Sequence, residues 1–283
     1  MKKILSYFAC AAIMFSFAAC GGNAPEATIP GAFTVGPNKQ VYFAQGNLRK
    51  ATNHITMETI WSFALNQYDI IGDEPMPVAR DLFSWNEINE SSDFDNWTIN
   101  TIANGFGYTW RVMTGEEWLH LFHGRPNYLK LFGFGNIQME NGSSIYGLFI
   151  LPDSWQLPKG TIFHSAEEKG VEWVVDPEGY DYYKSQDDAR EHNLYVADKT
   201  HPENDTWSVM QEAGMVFLPM TGLMSGEKYY DSEAAYWASS TVEGYACGID
   251  FTYGSYHSNY CLCPYGWGDK IFGQAFRLVR DVK

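Results

Sequence analysis

The apolar residues of this chain come in short runs, which limits what it can build. "YGLFILPD" (146–153), "GMVFLPMTG" (214–222) and "YWASST" (236–241) are bounded by turn residues and read as buried strands. "QVYFAQGNLRK" (40–50) alternates apolar and polar residues before a Gly-Asn turn, as a strand does, and "IWSFALNQYDIIG" (60–72) carries an apolar residue at every second or third position. The run "IFGQAFRLVR" (271–280) is expected to be the last strand, with Phe272 and Phe276 on one face and Arg277 and Arg280 near its solvated end. One segment carries a full set of helix signals. In "TGEEWLHLFHGR" (114–125), Thr114 caps, Glu117 completes a capping box, Trp118, Leu121 and Phe122 share a face, and Gly124 closes it. A second helix fits 185–197 or 203–213, and 73–109 reads as long loops with short helical turns. The expectation is an α+β domain of small twisted sheets, one or two helices and long irregular loops, in which most of the ten tryptophans form local cores.

The amino terminus is of a different kind. Met1-Lys2-Lys3, an apolar run from Ile4 to Ala19, and Cys20 followed by two glycines make a secretory signal too short for an ordinary membrane span. "FAAC" (17–20) is similar to a bacterial lipobox, which implies cleavage before Cys20 and a lipid on its thiol; a plain signal peptide is the alternative. The division expected is 1–19 signal peptide, 20–30 flexible tether ("GGNAPEATIP" after the cysteine), and 31–283 folded domain. The chain is then an outer-membrane lipoprotein held by the Cys20 lipid only, with the cell surface as one of the two faces open to it.

Removing 1–19 deletes Lys2 and Lys3 and leaves 17 basic against 34 acidic residues, a formal charge of −17. Nucleic acid is excluded as a partner, because binding phosphate backbones depends on clustered Lys and Arg. Of five cysteines, Cys10 falls in the signal and Cys20 at the lipid site, so an odd number, Cys247, Cys261 and Cys263, is left in the domain.

In order along the chain, "VYFAQGNL", "WSFALNQYDIIG", "WRVMTGEEW", "LFILPDSW", "AGMVFLPMTG", "YWASST" and "AFRLVR" resemble the lipoproteins of Bacteroides-like bacteria that carry the major paralogous domain, relatives of the C-type-lectin-like and formylglycine-generating-enzyme folds. The resemblance spans about Gly31 to Arg280. It implies a C-type-lectin-like fold in which the first and last strands pair and the central loops sit above the sheet. It does not fix a function, since one fold hosts many.

The carboxyl-terminal stretch admits four readings. Cys261 and Cys263 lie where formylglycine-generating enzymes keep a copper-binding pair, but the Cys-x-Cys spacing is short and only His257 is near in sequence as a base. Cys247, His257, Cys261 and Cys263 are four soft ligands, although Cys-x-Cys on a strand chelates poorly, and no "EPN"-like or "WND"-like stretch offers a lectin calcium site. A disulfide from Cys247 to Cys261 or Cys263 is the third reading. The fourth is a binding surface. From Tyr245 to Gly266 there is no Lys, Met, Gln, Glu or Trp, the five residues that NNC codons cannot encode. The stretch looks like the product of a diversity-generating retroelement. Five tyrosines, three glycines and two serines give it the composition of an antibody paratope.

The expectation is therefore ligand binding without enzymatic activity or cofactor, through Tyr245, Tyr253, Tyr256, His257, Asn259, Tyr260, Leu262 and Tyr265, with a protein or glycan as the ligand. A metal-dependent oxidase of the formylglycine-generating type and a tip subunit of a surface assembly are the alternatives. His120 with His123, Asp93 with Asp95, and Asp187 with Asp188 read as surface groups in preference to ligand sites.

Overall fold

The alternation in "FTVG" and "KQVYF" produces an amino-terminal hairpin, β1 (Phe33–Gly36) and β2 (Lys39–Phe43), with Phe33, Val41 and Phe43 facing inward and Asn38 supplying the left-handed turn residue at φ 56°. The computed structural model describes residues 28–52, 56, 58–72, 79–89, 102–175, 181–231, 233–253 and 260–283, except for the side chains of Glu233, Tyr253, Tyr260, Cys261 and Trp267. The signal segment, Cys20, Asp93 and Asp95 lie outside the described residues. Ile29, expected in the tether, donates its backbone N–H to Phe43 at 2.9 Å and is buried.

A second small sheet follows from β3 (Leu48–Thr52), β4 (Thr59–Phe63) and β5 (Ala79–Arg80), in the order β4-β3-β5, leading into a short helix α1 (Trp85–Asn89). Helix α2 (Gly115–Leu119) starts where the capping box requires, with the Glu117 N–H donated to Thr114 Oγ1 and the Thr114 N–H returned to Glu117 Oε2. It ends in a π-helical turn, His120–Gly124, that keeps Leu121 and Phe122 on the buried face of Trp118.

The four-stranded sheet has the order β10-β6-β7-β11, from β6 (Phe132–Met139), β7 (Ser144–Ile150), β10 (Leu194–Ala197) and β11 (Val216–Pro219), with β10 parallel to β6. Between these in sequence come β8 (Glu172–Val174) and β9 (Tyr182–Ser185); helix α3 (Thr206–Glu212), within the 203–213 alternative, precedes β11. A small hairpin, β12 (Leu223–Ser225) and β13 (Lys228–Tyr230), leads to the long strands β14 (Glu233–Val242), β15 (Tyr245–Tyr253) and β16 (Tyr260–Gly268). These form a five-stranded antiparallel sheet with the order β14-β15-β16-β9-β8. The last strand, β17 (Val279–Asp281), pairs with β2. The architecture is α+β, mostly small sheets with few helices.

The expected terminal strand over 271–280 is mostly irregular. Gln274 and Ala275 make single bridges to Phe83 and Tyr236, and only from Val279 does a ladder form. Phe276 is buried in the same cluster that Phe272 packs against, as the alternation predicts. Arg277, expected near solvent, is instead 1% exposed and donates to the backbone carbonyls of Ala44 at 3.1 Å and Phe217 at 2.7 Å. The two carbonyls at irregular chain crossings need donors, and a forked guanidinium supplies both from one side chain. Burial without a carboxylate partner pulls its pKa down to about 10.

Three aromatic clusters fill the interior. Trp118, Phe122, Phe132 and Tyr183 centre the largest, Trp61, Phe83, Trp110 and Trp237 the second, and Phe149, Tyr195, Trp207 and Phe217 the third. Distributed local cores let long irregular segments bury their rings without regular ladders.

Candidate functional site

The expected binding stretch occupies β15 and β16, the two middle strands of the five-stranded sheet beside β14 and β9. Strand alternation decides which of its residues can meet a ligand. Cys247, Ile249 and Phe251 on β15 and Leu262 on β16 all point into the main core. Leu262 is therefore no surface contact. It is fully buried opposite Phe251, and its apolar side chain holds β16 on the core.

Of the remaining candidates only Tyr245 and Tyr265 have described side chains, and they stand at different places along the hairpin. Tyr253 pairs with Tyr260 across the last rung of the hairpin. Tyr256, His257 and Asn259, in the six residues joining these strands, lie outside the described residues, as do the side chains of Tyr253 and Tyr260. Tyr245 begins β15 at the opposite end, about 26 Å away at the usual rise per strand residue, and is 45% exposed. Tyr265 sits between. The register slips from Gly248↔Gly266 to Asp250↔Cys263, so Pro264 and Tyr265 together face Ile249, a bulge that re-aims the tyrosine.

Tyr265 is held by the scaffold. A Cβ on Gly115 would come within 2.5 Å of its Cε2, so the ring lies flush on the start of α2. Its hydroxyl donates to Glu116 Oε1 at 3.5 Å and also bonds the Cys247 thiol, which shares Ser240 as a partner. The Ser240 Oγ in turn accepts the Gly115 N–H at 2.7 Å. Burial, then the neighbouring Cys247 and Glu116, pushes the Tyr265 hydroxyl up to about 12.

Cys247 is a free, buried thiol, so the disulfide expected from it does not form. Cys263 Sγ donates to the Asp181 carbonyl at 3.5 Å. Burial raises the Cys247 thiol, the reverse of what a nucleophile requires. Among the described residues no three His, Cys, Asp or Glu side chains converge as metal ligands.

His123 is packed into the scaffold, apart from any pairing with His120. The His123 Nδ1 is 2.7 Å from the Tyr183 hydroxyl, and its ring lies against Trp173 and Tyr128. Asp188 caps a short 3-10 turn and pairs with Arg190. Sequence reasoning missed a polar cavity of about 350 Å³ lined by the 66–69 turn, the β6–β7 hairpin and the end of β10. Nothing local marks it, because its walls come from three separated segments.

No protein-family model, curated protein or solved structure matches the chain.

Proposed function

We propose that the chain is an exported lipoprotein, tethered through Cys20, whose C-type-lectin-like domain binds a protein or glycan through the end of the β15–β16 hairpin. The contacts are Tyr253, Tyr256, His257, Asn259 and Tyr260. One observation carries the reading: the hairpin end is clamped from both sides. Tyr260 pairs with Ser185 of β9 while Tyr253 pairs back to it, and Thr252 pairs with Glu233 of β14. The strand residues from which the connection leaves and to which it returns are thereby fixed in place, which favours recognition there. The fold assignment is supported by the pairing of β2 with β17 and by the long irregular segments around a small central sheet.

The test replaces 254–259 in the full chain with alternating Gly and Ser and compares both chains on protein and glycan arrays. The expected result is a saturable ligand of the parent that the variant loses while melting at the same temperature. Equal binding by both chains sinks the proposal, as does a variant that no longer folds. Diversification has its own test: a near-copy of the coding sequence downstream in the DNA, with adenines where this stretch varies, beside a reverse transcriptase.

A further inference from the structure

The cavity missed by the sequence lies apart from the hairpin end. Its polar wall is Asn66, Tyr68, Asp69, Glu140, Asn141 and Lys199, and its apolar floor is Met139 and Ala197. Its volume, about 350 Å³, is that of a small-molecule site.

Most of the polar wall is already engaged. Asp69 accepts the backbone and side-chain N–H groups of Asn66, and Asn141 Oδ1 accepts the N–H and hydroxyl of Ser143. The Lys199 ammonium donates to Asn66 Oδ1 at 2.9 Å. Glu140 uses only Oε1, which takes the N–H groups of Lys199 and Thr200 at 2.6 and 3.1 Å. Two groups are left. Glu140 Oε2 has neither a hydrogen bond nor an ion pair among the described residues. The second is Tyr68, 5% exposed, whose hydroxyl has no hydrogen-bond partner among the described residues even though the side chain lines the cavity. A hydroxyl that opens into the cavity and bonds no protein group is available to a ligand atom as an acceptor. Asp69, Asp205 and Glu140 all place negative charge on this hydroxyl.

We propose that this cavity binds a small organic cation, a primary ammonium on a short apolar stem, with the ammonium donating to Glu140 Oε2 and to the Tyr68 hydroxyl oxygen and the stem lying on Met139 and Ala197. The unengaged carboxylate oxygen sets the sign of the ligand: the wall carries the Asp69 and Glu140 carboxylates against the one Lys199 ammonium, which Asn66 already holds, so an anion is disfavoured, and a neutral hydroxyl forgoes the charge-assisted bond.

The experiment titrates the full chain with n-butylammonium, butan-1-ol and butyrate, which share a stem and differ in head group, and follows binding by calorimetry. Only butylammonium is expected to saturate, at one site per chain. Glu140→Gln keeps an acceptor for the Lys199 and Thr200 amides but removes the charge, and is expected to weaken binding about tenfold. Tyr68→Phe changes no charge, removes only the hydroxyl, and is expected to weaken it about threefold. The proposal is overturned if butylammonium does not saturate, if butan-1-ol or butyrate binds as well, or if both variants bind like the parent, which would reduce the effect to attraction by an acidic surface.

Discussion

Glu117 does three jobs with one side chain. Its carboxylate accepts two hydrogen bonds from Arg111 at 2.7 and 2.9 Å, pairs with Lys39, and closes the cap of α2 through the Thr114 N–H. Burial alone would raise this carboxyl, but the bonds from Arg111 and Lys39 together outweigh it and hold the pKa below the ordinary range. A carboxyl whose pKa is lower in the folded than in the unfolded chain adds stability that is complete above the unfolded value and lost as pH falls through the folded one. Glu117→Gln is therefore expected to cost about 2–4 kcal/mol at neutral pH, because Arg111 and Lys39 lose a buried partner. In acid the difference between the two chains should shrink, as urea midpoints at neutral and acidic pH would show. The capping role was legible, since Thr114 and Glu117 are three residues apart. The pairing with Lys39 and Arg111 was not, since it depends on where other segments arrive. Arg277 marks the same limit from the other side. Near the end of an apolar run it reads as solvated, and only the crossing of the 44 and 217 segments, far away in sequence, supplies its buried acceptors.

At the scale of elements, helix α2 and strand β16 meet where one has no side chain and the other has a ring. Gly115→Ala would set a methyl within 2.5 Å of Tyr265 Cε2 and is expected to destabilise by about 1–3 kcal/mol through overpacking. Tyr265→Ala opens the space, so the double variant should be more stable than the sum of the singles predicts, a coupling that a double-mutant cycle in urea measures directly. Additive costs would mean the ring does not rest on the helix. Strands β2, β4, β7, β11 and β14 were legible from their short apolar runs and the local signals placed α2, while α3 falls in one of the two alternatives and β9, β15 and β16 were not read as strands. Their partners were not legible. β16 pairs with β9, some 75 residues earlier, and that pairing turns Leu262 toward Tyr183 and the core. Composition ranked Leu262 with the tyrosines of the stretch because a residue count carries no information about faces.

The whole molecule is closed by its ends. β17 lies on β2, and the Val279 backbone exchanges hydrogen bonds with Arg111 at 2.8 and 2.9 Å. Two residues on, Asp281 accepts from the Arg111 guanidinium that also holds Glu117, so strand, helix cap and carboxyl terminus share one charged network. Contacts between chain ends are the most expensive to form in loop entropy, and they stabilise the fold only if much else is already assembled against them. Val279 is fully buried in the main core, and the backbone of β2 that β17 covers would otherwise be a bare edge beside Phe43. Ending the chain after Leu278 removes Val279, the Arg111 backbone bonds and the Asp281 carboxylate together. The expected result is loss of a single cooperative transition, read as non-coincident unfolding curves by tryptophan fluorescence and far-UV circular dichroism. Val279→Ala in the full chain, which keeps the ladder and removes two methyl groups, should cost only about 1–3 kcal/mol and remain cooperative. If the truncated chain unfolds as cooperatively as the parent, the ends are an ornament on a domain that the central sheets hold alone, and the platform under the hairpin end does not depend on them.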